Sequence, residues 1–209
     1  MTTEMNVFEV INNCRAMRRL KPDPVPTEQI LRLIDAGNHA PSGSNMQGAR
    51  WIVVQDQEQR NRLAELNKKA VEVYIGSSSG RPAVLPHQSQ GKRERMLQAV
   101  LWQAEHLQEI PVLIIACFEF ADAVGKEGAG RAGGSVWPGV QNLLLAARAL
   151  GLGATPTTLG LADRDAAREV LGLADNVEAY CLIPVGWPLG NFGPVTRLPP
   201  EQTVHWDRW

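Results

Sequence analysis

The chain has 209 residues, 44% of them hydrophobic, with a formal net charge of -1 and a pI near 6.4. That is enough apolar residue to bury a substantial core in one domain, and the lack of a basic excess excludes bulk attraction to nucleic acid or anionic lipid. The three cysteines, Cys14, Cys117 and Cys181, are odd in number and far apart; they fit neither a disulfide scaffold nor a zinc ribbon and suit a reducing cytoplasm.

Met1 to Val10 lacks the apolar run of a signal peptide. The longest uninterrupted apolar run, Pro111 to Phe118, is too short to cross a bilayer. A cytoplasmic protein with no membrane or nucleic-acid partner is the expectation.

In chain order, Asn6 to Arg18 carries Val7, Val10, Ile11 and Cys14 at helical spacing, and Pro22-Asp23-Pro24-Val25-Pro26 stops that helix. Thr27 is placed to cap a second helix whose apolar stripe is Ile30, Leu31, Leu33, Ile34 and Gly37, ending before Pro41. Trp51 to Val54 is short and β-branched, hence a strand. An exposed helix is expected over residues 57–73, a glycine-rich loop over 76–91, and a polar amphipathic helix from Lys92 to Gln108. The continuous apolar run Pro111 to Phe118 predicts a strand covered on both faces.

Asp122 to Gly134 is glycine-rich and reads as a surface excursion, and Pro138 to Leu150, apolar nearly all round, as a helix that is central or at a subunit interface. Gly151 and Gly153 end it. A helix near Asp163 to Leu171 and a strand at Tyr180 to Gly186 precede a proline-rich tail holding Trp187, Trp206 and Trp209. The chain reads as one domain, 1–209, with an arm from about 188 placed to pack on a second subunit.

Three segments carry chemistry. Arg15, Arg18 and Arg19 stand at i, i+3 and i+4, so a helical Cys14 to Arg19 stacks three guanidiniums on one face. Such a face is either solvated and paired with carboxylates or built for a phosphate, whose oxygens guanidinium forks bind bidentately. In Ala40-Pro41-Ser42-Gly43-Ser44-Asn45-Met46-Gln47, hydroxyl and amide side chains offer both donors and acceptors around a glycine that admits close approach. Such a set suits the mixed edge of an isoalloxazine ring, and equally an ordinary polar loop. The third, Pro194-Val195-Thr196-Arg197, adds a cation near the end.

Other motifs do not hold up. Gly151-Leu152-Gly153-Ala154-Thr155-Pro156 follows a helix instead of joining a strand to one, so it is no dinucleotide motif. His39, His87, His106 and His205 lack metal-ligand spacing, and no serine lies in a G-x-S-x-G elbow. Neither a metal site nor a catalytic acid, base or nucleophile is assigned.

Taken together, Arg15 to Leu20 followed by Pro22 to Pro26, Ala40 to Gln47, Val140-Gln141-Asn142-Leu143-Leu144-Leu145-Ala146-Ala147 leading to Gly153, and Ile183-Pro184-Val185-Gly186-Trp187-Pro188 resemble, in the same order, the landmarks of the FMN-dependent nitroreductase family. The resemblance implies an α+β fold, a mixed and mostly antiparallel sheet flanked by helices, in an intertwined homodimer with one FMN at each interface. By position it implies that Arg15, Ala16, Met17, Arg18 and Arg197 hold the FMN phosphate. Pro41, Ser42, Gly43, Ser44, Asn45 and Gln47 would line the ring or ribityl chain, and Pro156, Thr157, Thr158, Leu159 and Gly160 the opposite flavin edge. It implies ping-pong hydride transfer from NADH or NADPH through the flavin to a small nitroaromatic, quinone or similar acceptor.

Loops 76–91 and 121–134 are the candidate acceptor pocket. Specialised relatives, flavin-fragmenting, dehalogenating or biosynthetic dehydrogenases, share this fold and site. A non-catalytic flavin-binding module is a further reading. Ala16 stands where the family usually has serine, and Gly48 where proline usually follows the glutamine; the family's tryptophan is displaced to Trp51.

Overall fold

Val112–Glu119, here β2, is the axis of the molecule: seven successive residues, Val112 to Phe118, are buried. The computed structural model describes residues 5–77, 89–122 and 126–209. A four-stranded sheet runs in the order β1-β2-β4-β3, where β1 is Ala49–Val54, β3 Gly153–Ala154 and β4 Val177–Gly186. All three ladders are antiparallel, so the parallel part of a mixed sheet is not among the described residues.

Because strand side chains alternate between faces, β2 feeds two cores. Val112, Ile114, Ala116 and Phe118 face helices α2, Thr27–Asn38, and α5, Lys126–Ala149, through Ile30, Leu33, Val136, Val140 and Leu143. Leu113, Ile115 and Cys117 face α3, Gln57–Gly76, and α6, Arg164–Leu171, through Leu63, Ala64 and Val170. Helix cover on both sides is why β2 is continuously apolar. The two remaining helices, α1, Val7–Asn13, and α4, Gln90–His106, lie outside this sandwich.

Several sequence expectations are corrected. Helix α1 ends at Asn13, Cys14 is extended, and Arg15 to Arg19 is neither helix nor strand. Tertiary pairing decides this: the Met17 amide donates to the Ala154 carbonyl (3.1 Å), the Leu189 amide to Arg19 (3.0 Å) and the Lys21 amide to Trp187 (2.8 Å). Pro26, not Thr27, occupies the cap of α2, and Leu31 of its expected stripe is exposed.

Helix α5 begins at Lys126, twelve residues before Pro138, so the described part of the expected 121–134 excursion is largely helix. Buried Gly133, Val136, Val140, Leu143 and Ala147 recur at three- and four-residue intervals straight through Pro138. That continuous apolar stripe outweighs the poor helix propensity of the glycines and proline. Residues 78–88 and 123–125, the core of the expected 76–91 loop and part of the second, lie outside the described residues.

A close helix crossing locks α2 onto α5. A Cβ on Gly139 would meet the Gly37 carbonyl at 2.9 Å, and one on Gly37 would meet the Trp51 ring at 2.7 Å. Trp51 is fixed there by its indole nitrogen donating to Asn38 (2.8 Å), so it belongs to this seam and not to the 41–47 loop.

Candidate flavin and anion site

The irregular segment after α1 gives its side chains opposite fates. Met17 and Leu20 turn into the core, whereas Arg15, Ala16 and Arg18 line a cleft of about 1020 Å³. The C-terminal segment supplies the opposite wall: the Val195 amide donates to the Asn12 carbonyl (2.9 Å), which brings Thr196 and Arg197 alongside. In place of the helix expected from spacing, this irregular segment brings Arg15 and Arg18 to one cleft, while Arg19 is exposed and does not line it.

The third wall was missed in the sequence. The first turns of α4, capped by Ser89, contribute Lys92, Arg93 and Arg95, and the Lys92 ammonium donates to the Thr196 hydroxyl (3.2 Å). The signal was the dense Lys92-Arg93-x-Arg95 run, read only as a polar helix face. Six cationic residues and no carboxylate line the cleft among the described residues.

Electrostatics follow from that inventory. Burial of Arg18 lowers its pKa, though a guanidinium keeps its charge at neutral pH. The Cys14 thiol is raised by burial, partly offset by Arg148 and Arg197. Arg148 itself lies over the Phe192 ring, 4.1 Å from its centroid, a cation–π contact on the same side of α5 as the tail.

No residue of the cleft lining comes from the strap 156–160. Ala154, which pairs with Met17, leads directly into it, and Thr157 exchanges two backbone hydrogen bonds with Leu182 (2.8 and 2.9 Å). Gly160 is buried beside Leu182 and Asn67, whereas Pro156 and Thr158 are exposed. The Met17–Ala154 bond ties the arginine segment to the strand residue two positions before Pro156.

The 41–47 loop is elsewhere. Ser44, Asn45 and Gln47 all have positive φ, a conformation that costs non-glycine residues of order 1 kcal/mol or more each. It is held by the Ser42 hydroxyl accepting from the Gln47 amide (2.8 Å), by Gln47 donating to Asn45 (3.1 Å), and by Ser135 of α5 accepting from the Gly43 amide (3.0 Å). Cys14, by contrast, is bonded to Leu144 of α5. Nine residues of helix separate Ser135 from Leu144, roughly 14 Å. Within one chain the loop and the arginine cleft therefore stand at different levels of α5, with the loop side chains largely exposed.

Gly48 has a structural reason: a Cβ there would meet the Phe118 ring at 2.4 Å. Among the described residues no three His, Cys, Asp or Glu side chains group to hold a metal, and no helix is long and apolar enough to cross a membrane.

The sequence profile of the Nitroreductase family matches residues 11–187. The chain belongs to the nitroreductase family. An iodotyrosine deiodinase of Thermotoga neapolitana is 25% identical over 182 residues, covering 87% of this chain and 88% of that protein. An NADH dehydrogenase of Thermus thermophilus is 26% identical, covering 92% and 91%. Among solved structures, an oxidised iodotyrosine deiodinase bound to FMN and 3-iodo-L-tyrosine superposes with a TM-score of 0.74 at 21% identity, covering 98% of this chain and all of that one. The family's α+β architecture is therefore the fold of this chain.

Proposed function

We propose that this nitroreductase-family protein is a cytoplasmic FMN-dependent oxidoreductase that takes reducing equivalents from NADH or NADPH and delivers them to a nitroaromatic, quinone or similar small acceptor. The observation that carries the reading is the convergence of Arg15, Arg18 and Arg197 on one cleft that no carboxylate lines among the described residues. The donor set fits FMN: guanidinium forks match a phosphate. The strap that follows β3 exposes the Pro156 and Thr158 side chains, which are available to a ring edge.

In this reading Arg15, Arg18 and Arg197 hold the phosphate with the backbone of Ala16, while Met17, expected in this set, is buried and its amide is spent on Ala154. Ala16 gives up the hydroxyl usual in the family, a loss of about 1 kcal/mol that the neighbouring guanidiniums cover. Pro156 to Gly160 orient one edge of the ring. Pro41 to Asn45 and Gln47, held away from the cleft of their own chain, serve the cleft of a second subunit, which makes the protein a homodimer with each site shared. Bound FMN would supply the redox chemistry, hydride transfer between the nicotinamide donor and the acceptor in a ping-pong cycle. The protein's task is to position, and no side chain is needed as acid, base or nucleophile.

FMN titration tests this. Wild-type protein should bind FMN, and Arg18→Ala should weaken binding by about tenfold to a hundredfold, the loss expected for a charge-assisted contact. Equal affinity in both would remove the arginine cleft from the site. The deiodinase likeness supports a second reading, reductive dehalogenation at the same site. No turnover of nitroaromatics with either nicotinamide donor, together with release of iodide from iodotyrosine by reduced enzyme, would favour it.

A further inference from the structure

The cleft holds more positive charge than FMN needs. Leaving Arg93 aside, Arg15, Arg18, Lys92, Arg95 and Arg197 line it, and no salt bridge to any of the five occurs among the described residues. A phosphate monoester carries roughly two negative charges at neutral pH, which Arg15, Arg18 and Arg197 more than balance, so Lys92 and Arg95 remain once FMN is placed. Lys92 and Arg95 stand at i and i+3 on α4, on one face of the helix with Ala99, which also lines the cleft. One turn beyond Ala99 on that face, Gln103 is buried, and its amide nitrogen has no partner among the described residues. Gln103 does not line the cleft, so the part of α4 that faces a ligand is its first turns, with Lys92, Arg95 and Ala99.

Resting on the FMN reading above, we infer that Lys92 and Arg95 form a second anion subsite, one that takes a phosphate monoester carried by a reaction partner and not the phosphate of FMN. That chemistry has two sources. It is the 2′-phosphate by which NADPH differs from NADH, or a phosphate on the acceptor. Lys92 is already steered by Thr196 of the opposite wall, so the subsite spans the cleft next to the FMN phosphate set without sharing its residues.

The test uses the full-length FMN-loaded protein, its Lys92→Gln/Arg95→Gln variant, and Lys69→Gln, an exposed cation outside the cleft, as control. Both substituted residues are exposed, so folding is not at stake. KM is measured for NADPH and NADH and for 4-nitrophenyl phosphate and nitrobenzene as acceptors. Calorimetry gives Kd for NADP+ and NAD+, and titration of the same proteins stripped of flavin gives Kd for FMN.

The double variant should raise either the NADPH-to-NADH KM ratio, with the matching Kd ratio, or the 4-nitrophenyl phosphate-to-nitrobenzene ratio by roughly tenfold, with FMN affinity unchanged and the control unaffected. The first outcome assigns the subsite to the donor and the second to the acceptor. A fall in FMN affinity with both ratios constant would show that all the cations serve FMN and overturn the proposal, as would no change at all. Failure of the wild-type protein to bind FMN is a separate result, and it removes the reading on which the proposal rests.

Discussion

Gly153 couples the sheet to the arginine segment. A Cβ there would lie 2.5 Å from Leu20 Cδ2 and 2.9 Å from Met17 Cβ; the leucine tip can swing away, but the methionine Cβ moves only with its backbone. Gly153→Ala should therefore cost about 1 to 3 kcal/mol of stability and weaken FMN binding, because Arg15 and Arg18 travel with Met17. Gly151→Ala, at φ 77° with open space around it, should cost only the left-handed backbone strain of about 1 kcal/mol and leave FMN affinity intact. Denaturation midpoints and FMN titrations on the two variants separate these effects.

The buried thiols make a second residue-scale prediction. Burial pushes both Cys117 and Cys181 up from 9.0 to about 12. The folded chain therefore keeps protons that the unfolded chain loses above pH 9. Stability is fully present below pH 9 and should fall between pH 9 and 12 by about 1.4 kcal/mol per pH unit for each thiol. Tyr180, raised from 10.0 to about 12, acts in the same direction. Denaturant midpoints measured from pH 7 to pH 10.5 should be level and then decline, and Cys117→Ala should make the decline shallower.

At the scale of elements, the α2 and α5 crossing depends on Gly37 and Gly139. Because the atom met by a Cβ at Gly139 is a backbone carbonyl, Gly139→Ala should separate the helices and lower stability by about 1 to 3 kcal/mol, read as a reduced thermal midpoint. Elements whose own periodicity matched their burial were legible in the sequence: β2, the body of α2, and α6, where Asp163 caps by accepting from the Ala166 amide (3.1 Å). Elements decided by distant partners were not. Arg15 to Arg19 has helical charge spacing, yet pairing with Ala154 and Leu189 holds it out of a helix. The start of α5 hides behind glycines, whose propensity argues against the helix that tertiary burial imposes. The α4 wall of the cleft was illegible because nothing local to Lys92 announces the approach of Thr196, more than a hundred residues away.

Across the whole molecule, the sequence order of the three site segments was legible, but not that two of them sit at different levels of α5. That separation, together with exposed Phe8, Trp206 and Trp209, is the reason a site shared between subunits is proposed. It predicts complementation. Mixed dimers of an Arg15→Ala/Arg18→Ala chain and an Asn45→Ala/Gln47→Ala chain should contain one intact site each, returning about a quarter of wild-type activity at statistical mixing. A site contained within each chain would give no recovery. The most direct test of the account is an anaerobic titration of the purified protein, reconstituted with FMN, followed by visible absorbance. The account predicts retained oxidised-flavin bands that bleach on addition of NADH or NADPH and return with a nitroaromatic or quinone. A protein that stays colourless after exposure to FMN would contradict it.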